Sequence, residues 1–332
     1  MTEKPASANP GLASREVVFD KTIKSFLDAR AREGLPSLHG YSVPDARVAL
    51  SKLQLGRVPA LPAQIDDFNL TVGSTDGIQI RIFRPINSDG WCPIVFYFHG
   101  GCWVMGNADC YDRFVRELAI GTKAAVVFVD YTLAPEAQFP TQLEQAYAVL
   151  HGVVGNAETF HLDSSRIVVA GDSSGGNLAT AVALLAKSRR GPEIALQLLL
   201  YPVLREPLEA AASELQGAGR WLTHEQLRRR IDSAYPEGVT RQHATAFPLN
   251  ASTLQLNDLP EALVIVAEHD ITRDDAEEYA RRLMEAGVAV TCTRYNGAIH
   301  DFLLLDVLAE SAPVRSATAQ AIEAVSRALY RP

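Results

Sequence analysis

The sequence predicts an α/β protein in which a mostly parallel central sheet is flanked by helices on both faces. From Phe68 onward, short apolar runs typical of strands alternate with segments of helical pattern, an alternation that builds parallel sheets. Runs such as Ile94–Phe98 are continuously apolar, as strands covered on both faces are. One long stretch, between Tyr201 and Ala262, breaks the alternation and is helical in pattern, which predicts an inserted helical cap.

The predicted elements follow in chain order. Apolar side chains at three- and four-residue steps predict a first helix over Val18–Leu27, and Asp45–Leu55 is predicted as a second. Asp67–Val72 and Ile78–Arg84 alternate around the turn residues 74–77, which predicts a β-hairpin. The further strands are predicted at Ile94–Phe98, Ala125–Val129, Arg166–Ala170, Ala195–Tyr201, Ala262–Ala267 and Val288–Tyr295. The helices between and after them are predicted at Cys110–Ile120, Gln142–Val153, Asn177–Ser188, Asp275–Ala286 and Val314–Tyr330.

These patterns divide the chain into a core and a cap. Residues 61–203 and 251–332 are predicted to form the two parts of the α/β core. We expect the N-terminal helices of residues 1–60 and the inserted helices of residues 204–250 to lie together over the carboxyl ends of the strands. An ordinary pair of surface helices is the alternative for the insertion, because only fold analogy places it there.

Composition narrows the choice of partners. The chain has 332 residues, a formal net charge of −8 and no basic tract, which argues against a nucleic-acid partner. The first residues lack the basic and apolar regions of a secretory signal, and runs such as Ile194–Leu200 are too short to span a bilayer. We therefore expect a cytoplasmic protein without stable membrane association, and the sequence leaves a homodimer open.

Cysteine and histidine usage predicts neither a disulfide framework nor a metal site. The four cysteines show no CxxC spacing, and the eight histidines form no HxxH or HExxH group. The expectation is four reduced thiols and no metal or other cofactor.

Residues 171–175 read GDSSG, a G-x-S-x-G pattern that is weak by itself because small residues recur by chance. Its context is specific, since it follows the predicted strand ending at Ala170 and precedes a predicted helix, the position of a nucleophile elbow. A glycine-rich turn without chemistry is the alternative. We expect Ser173 to be a nucleophile and Ser174 to contribute its backbone N–H rather than its hydroxyl.

A second glycine-containing loop, residues 99–103 with the sequence HGGCW, follows the strand Ile94–Phe98. Consecutive glycines let the backbone approach a ligand closely, so the N–H groups of Gly100 and Gly101, with that of Ser174, are candidates for an oxyanion hole. Ordinary turns use glycine too, so this loop is indicative only in combination with the elbow. His99 precedes the donors and is expected to be structural, holding the loop.

Two further strand ends carry the remaining candidate groups. Asp270 follows the predicted strand Ala262–Ala267 and His300 follows the next strand, so the chain order is serine, aspartate, histidine. Loops beyond the carboxyl ends of strands are where ligands bind in open α/β sheets. Competing residues receive other roles: capping of the next helix for Asp274 and Asp275, a solvent-facing or structural position for His269, and no triad role for Asp301 and Asp306, which follow the histidine.

Through these motifs the chain resembles the hormone-sensitive lipase family of α/β-hydrolases, the bacterial carboxylesterases with an HGGG loop. Residues 99–103 are similar to that loop, and residues 131–140 to the segment Y-R-L-A-P-E-x-x-F-P. Residues 171–178 are similar to the elbow G-D-S-A-G-G-N-L, residues 270–274 to the acid loop D-P-L-R-D and residues 297–300 to the histidine loop G-M-x-H.

The sequence departs from this family pattern at three places. Cys102 stands at the third glycine of the loop, Ala137 and Gln138 replace a His-Pro pair, and Asp301 replaces the glycine after the histidine. The resemblance implies that the first two glycines donate the N–H groups, so the oxyanion hole should survive Cys102, whose expected role is that of a small filler. Asp301 places a charge beside the expected base.

The resemblance implies the α/β-hydrolase fold with a helical cap, and a carboxylic ester hydrolase that acts on small short-acyl esters without a cofactor. Ser173 would attack the acyl carbon, His300 would take its proton and Asp270 would fix the histidine tautomer. An amide or carbamate hydrolase with the same triad is one alternative. A non-catalytic small-molecule receptor on the same fold is another, and the presence of His300 argues against it.

Overall fold

The computed structural model describes residues 17–54, 58–72, 75–86, 90–207, 221–236 and 238–331. Its strands are β1 (Ala63–Val72), β2 (Thr75–Pro85), β3 (Cys92–Phe98), β4 (Ala125–Asp130), β5 (Leu162–Asp172), β6 (Leu196–Leu200), β7 (Glu261–His269) and β8 (Val290–Ile299). They form one eight-stranded sheet with the order β1-β2-β4-β3-β5-β6-β7-β8. Strand β2 is antiparallel to β1 and β4, and the other neighbouring pairs are parallel, which confirms the mostly parallel sheet.

The sheet is built from the runs that predicted it. Strands β1 and β2 form the expected hairpin, with Leu70 opposite Ile78. Strand β3 is buried along its whole length, as its continuously apolar sequence requires. It pairs with β4 on one side and β5 on the other, so the carboxyl end of β5 lies in the middle of the sheet.

The helices of the described ranges are α1 (Lys21–Arg32), α2 (Val43–Gln54), α3 (Asp112–Thr122), α4 (Thr141–Gly155), α5 (Ser174–Arg189), α6 (His224–Ala234), α7 (Thr253–Leu256), α8 (Arg273–Glu285) and α9 (Ala312–Leu329). Helix α3 packs against α9 and α4 against α5. Helix α5 is buried from Ser174 to Ala186, so its N-terminus lies deep in the protein. None of the helices in these ranges is both long and apolar enough to cross a membrane.

The N-terminal segment and the insertion between β6 and β7 contact each other directly. The rings of Phe26 in α1 and Trp221 lie 5.3 Å apart, centroid to centroid. The Arg230 guanidinium in α6 donates to the carbonyl of Tyr41 at 2.7 Å. These contacts are those expected of one shared cap. The division of the chain into a core and a cap stays a prediction. Residues 208–220 of the insertion lie outside the described residues.

The N-terminal segment also contacts the carboxyl ends of β7 and β8. His269 Nε2 donates to the carbonyl of Val18 at 2.8 Å, and the Asp20 N–H donates to the carbonyl of Gly297 at 3.0 Å. Gly297 has a φ of +72°, and a Cβ there would lie 2.6 Å from the Asp20 nitrogen. Only glycine permits both this backbone conformation and this close approach.

Candidate active site

Ser173 occupies a strained turn between β5 and α5. Its φ of 53° and ψ of −118° lie far from the conformations that a non-glycine residue prefers. The neighbouring glycines make the turn sterically feasible, because a Cβ on Gly171 would lie 2.2 Å from the Gly175 carbonyl oxygen, and one on Gly175 would lie 1.9 Å from that of Phe98. The G-x-S-x-G pattern therefore reflects backbone packing, which fixes Ser173 at the carboxyl end of a central strand.

Three of the predicted residues form a continuous hydrogen-bonded chain. Ser173 Oγ lies 2.8 Å from Nε2 of His300, and Nδ1 of His300 lies 2.6 Å from Oδ2 of Asp270. The other carboxylate oxygen of Asp270 accepts the backbone N–H of Thr272 at 3.0 Å. All three side chains are buried. The separate strand ends predicted from the sequence thus bring a nucleophile, a base and an acid together.

His300 lies between two carboxylates. Asp270 contacts Nδ1, and Asp301 Oδ1 lies 3.5 Å from Nε2. Burial lowers the pKa of His300, but the charges of Asp270 and Asp301 outweigh it and raise the pKa to about 9. The imidazolium that forms when the histidine takes a proton is therefore strongly stabilised.

In the loop after β3, one predicted donor of the oxyanion hole, the N–H of Gly100, has another partner. The N–H of Gly100 donates to Asp172 Oδ1 at 2.9 Å, so it is already engaged and is not a free donor. No hydrogen bond among the described residues uses the N–H groups of Gly101, Cys102 or Ser174. Ser174 is the first residue of α5, where backbone N–H groups have no acceptor within the helix and the helix dipole is positive.

Asp172, which the sequence reasoning did not single out, holds this loop in place. Its carboxylate accepts the hydroxyl of Tyr97 at 2.8 Å and that of Tyr111 at 3.1 Å, besides the N–H of Gly100. Burial raises the pKa of Asp172 to about 7, against the opposing effect of the Tyr97 hydrogen bond. In the sequence, only the position of Asp172 inside the elbow motif could have indicated this role. The hydroxyl of Ser174 also supports the loop, since it accepts the N–H of Trp103 at 3.1 Å.

Asp301 links the catalytic loops to the N-terminal segment and the insertion. Its Oδ2 accepts Nε2–H of His39 and Nε1–H of Trp221, each at 2.9 Å. Burial raises the pKa of Asp301, but His300 and His39 outweigh this and lower it to about 2. Asp301 could be singled out from the sequence because it replaces the glycine that follows the histidine in the family pattern. No motif surrounds His39 or Trp221, so neither residue could be identified from the sequence.

The other histidines near these loops are structural. His99 Nδ1 donates to the carbonyl of Gly100 at 2.9 Å, and its ring stacks on Tyr131 with centroids 4.3 Å apart. Burial lowers the pKa of His99 to about 4, so the ring is neutral. His269 is buried against Phe19 rather than solvent-facing.

Three of the four competing aspartates are engaged away from His300, whereas Asp301 lies beside it. Asp274 pairs with Arg273, Asp275 with Arg205 and Asp306 with Arg113. Asp274 and Asp275 lie in the first turn of α8, whose N-cap is Thr272, so the expected capping by their side chains was wrong. In the part of the chain that the structure describes, no group of three or more His, Cys, Asp or Glu side chains is arranged to hold a metal ion.

Comparison with known proteins fits this arrangement. Residues 95–304 match a family described by the alpha/beta hydrolase fold. The chain belongs to the hormone-sensitive lipase family of α/β-hydrolases. Among this family, it is 32% identical to the carboxylesterase NlhH of Mycobacterium tuberculosis over 332 residues, which cover 99% of this chain and 100% of that protein.

Two proteins of Pseudomonas putida give similar results. An ethyl acetate hydrolase is 33% identical over 76% of this chain and 79% of its own length. A solved structure, a thermostable esterase from strain ECU1011, is 36% identical with a TM-score of 0.91, covering 98% of this chain and 100% of that one. At this similarity the α/β-hydrolase fold extends over nearly the whole chain.

Proposed function

We propose that this protein is a carboxylic ester hydrolase that acts on small short-acyl esters through an acyl-enzyme. The observation that carries the proposal is the hydrogen-bonded series Ser173–His300–Asp270 at the carboxyl ends of the strands. A nucleophile in contact with a base, and a base oriented by a carboxylate, is the arrangement that activates a serine hydroxyl. Relatives named carboxylesterase and ethyl acetate hydrolase support the same chemistry.

In the acylation step, Ser173 Oγ attacks the ester carbonyl carbon while its proton moves to Nε2 of His300. Asp270 holds Nδ1–H and stabilises the imidazolium. The carbonyl π electrons move onto oxygen, and the resulting tetrahedral intermediate collapses by releasing the alcohol, which takes the proton from Nε2. Water then attacks the acyl-serine with His300 as base, and the acid leaves as Ser173 regains its proton.

We assign stabilisation of the oxyanion to the N–H groups of Gly101, Cys102 and Ser174. These donors are unengaged among the described residues, and the loop that carries two of them is fixed to Asp172 and Ser174. Preorganised donors of this kind stabilise the charge that develops in the transition state. This assignment replaces Gly100 with Cys102, whose contribution comes from its backbone.

The short-acyl preference rests on the contacts above the strand ends. His39 and Trp221, from the N-terminal segment and the insertion, both bond to Asp301 beside His300. A cap anchored this close to the base restricts the room for a long acyl chain. The contacts between these two segments favour a single helical cap over an independent pair of surface helices.

The decisive experiment combines a kinetic and a chemical measurement. Ser173→Ala should lower the turnover of p-nitrophenyl butyrate by about 10⁴-fold or more while the thermal melt is kept. Ser188→Ala, at the exposed end of the same helix, is the matched control and should retain parent activity. A small organophosphonate should label Ser173 alone among the serines. Residual activity within tenfold of the parent in Ser173→Ala, or no labelling of Ser173, would overturn the proposal.

A further inference from the structure

A second nucleophile lies beside the first, and the ester mechanism does not use it. Cys102 Sγ lies 3.6 Å from Nδ1 of His39, within hydrogen-bond range for sulfur, and Nε2 of His39 lies 2.9 Å from Asp301 Oδ2. All three side chains are buried. Thiol, imidazole and carboxylate thus repeat the order of nucleophile, base and orienting acid found at Ser173.

The carboxylate sets the tautomer of this imidazole. Asp301 is held ionised, so in the neutral form of His39 it is Nε2 that carries the proton and donates it to this carboxylate, while the lone pair of Nδ1 faces the thiol. Burial lowers the pKa of His39, but Cys102 and Asp301 outweigh it and raise the pKa to about 9. His39 is therefore placed to take the thiol proton and to remain charged beside the sulfur.

A second cation, Arg230, is hydrogen-bonded to the backbone of His39. Arg230 is only 5% exposed, and it donates to the carbonyls of Tyr41 at 2.7 Å and His39 at 3.3 Å. Its Nε has no hydrogen-bond partner within the described ranges. Burial lowers the pKa of Arg230, and the charge of Cys102 acts in the opposite direction. Histidine and arginine side chains are common neighbours of reactive cysteines.

Other cysteines of the chain have different surroundings. Cys110 contacts the hydroxyl of Ser51 at 3.7 Å, and burial raises its pKa. Cys292 is only half-buried, but desolvation and the nearby Glu277 raise its pKa to about 11. A reaction governed by exposure would therefore begin at Cys292, whereas a reaction governed by activation would begin at Cys102.

We propose that Cys102 is a modification site, a histidine-activated thiol that reacts with small carbon electrophiles and thereby blocks ester hydrolysis. With an alkyl iodide, the thiol proton moves to Nδ1 of His39, the sulfur forms a bond to the carbon, and the carbon–iodine bond breaks to release iodide. The adduct then occupies the loop between Gly101 and Trp103, where substrate must bind. Only the inhibition rests on the proposed function, because the thiol chemistry does not involve Ser173.

The first experiment compares cysteines within one native protein. The full-length protein is exposed briefly to iodoacetamide, and alkylation of each cysteine peptide is followed by mass spectrometry. Cys102 should react at least about tenfold faster than the more exposed Cys292. The reverse order, with Cys292 modified while Cys102 stays intact, would overturn the proposal.

The second experiment removes the base. His39→Gln should slow alkylation of Cys102 about tenfold or more while Cys292 is unaffected, since the thiol loses its proton acceptor. His151→Gln, an exposed imidazole on α4, is the matched control and should leave both rates unchanged. An unchanged rate at Cys102 in His39→Gln contradicts the assignment. If that variant loses its native melt, the wild-type ratio of Cys102 to Cys292 decides alone.

The third experiment tests the inhibition. Loss of p-nitrophenyl butyrate hydrolysis should follow the fraction of Cys102 alkylated, and it should do so equally in Cys292→Ser. Full alkylation of Cys102 without loss of hydrolysis contradicts this part. Phosphonate labelling of Ser173 keeps the two proposals separable: without that label the ester hydrolase assignment fails, whereas the alkylation rates still decide the fate of the thiol site.

Discussion

At the scale of single residues, the unusual feature is a second carboxylate beside the base. Asp301 approaches Nε2 of His300, the same nitrogen that must accept the proton of Ser173. Its charge stabilises the imidazolium, which helps once the proton has moved. The same charge also keeps most of the histidine protonated at neutral pH before reaction, when only the neutral imidazole can act as a base.

The pH profile of hydrolysis measures this balance. With the pKa of His300 raised to about 9, kcat/KM should increase with pH up to about that value. Removing the nearby negative charge in Asp301→Asn makes the imidazolium less stable, so the acid limb should move down by about one pH unit. Asp109→Asn, an exposed carboxylate paired with Arg81, serves as the control. Superimposable profiles for Asp301→Asn and the parent would refute this role of Asp301.

The identity of the orienting acid can be tested with two aspartates that lie close together in the sequence, Asp270 after β7 and Asp274 in the first turn of α8. Asp270→Asn should reduce turnover by about 10⁴-fold, because the amide favours the wrong histidine tautomer. Asp274→Asn should stay within about tenfold, since that side chain pairs with Arg273 on the surface. Steady-state kinetics on both variants check this, and a damaging Asp274→Asn beside a mild Asp270→Asn would mean that the wrong carboxylate was assigned.

The active-site residues differ in how well the sequence alone identifies them. Ser173, Asp270 and His300 were identifiable because each follows a predicted strand, and the carboxyl ends of parallel strands meet at one edge of a sheet. The error at Gly100 arose because the direction of an N–H is set by a distant acceptor, Asp172, rather than by the glycine itself. His39 was unpredictable, since its partner lies 262 residues away in the chain.

At the scale of elements, the loop after β3 depends on glycine for its shape. Gly101 has a φ of +86°, and a Cβ there would lie 2.1 Å from the carbonyl oxygen of Met105. Gly101→Ala should therefore displace a donor of the oxyanion and lower turnover by about 10²- to 10³-fold. Gly155→Ala, where a Cβ would meet nothing within 4 Å, is the control. Parent turnover in Gly101→Ala, measured on folded protein, would exclude the loop from catalysis.

Element boundaries show where local patterns were insufficient. The helix after the nucleophile was predicted over Asn177–Ser188, but α5 begins at Ser174 and includes two glycines, which are poor helix formers. Tertiary packing explains the difference. A Cβ on Gly176 would lie 2.8 Å from Cβ of Pro202, so the glycine allows this first turn to approach the neighbouring strand end. The strands themselves were predicted to within a few residues because their apolar runs are distinct.

At the scale of the whole molecule, the cap should determine substrate size. Hydrolysis of p-nitrophenyl esters from acetate to dodecanoate should peak between acetate and hexanoate and fall steeply after octanoate, because a roofed pocket of about 300–1,000 Å³ suits a short acyl chain. Trp221→Ala, which removes one anchor of the cap at Asp301, should shift the maximum towards longer chains. A parent maximum at decanoate or longer, or activation at an oil–water interface, would contradict the short-acyl proposal.

The contact between His269 and Val18 also bears on how the protein is made. The two residues are 251 positions apart in the chain. At a synthesis rate of about 5–20 residues per second, the N-terminal segment waits roughly 13 to 50 seconds on the ribosome before the strand that receives it has emerged. During that time the N-terminal segment, including the apolar face of α1 with Ile23, Phe26 and Leu27, lacks the ends of β7 and β8 to which it bonds in the folded protein. A nascent chain stalled before β7 should therefore hold this helix accessible to proteases and chaperones.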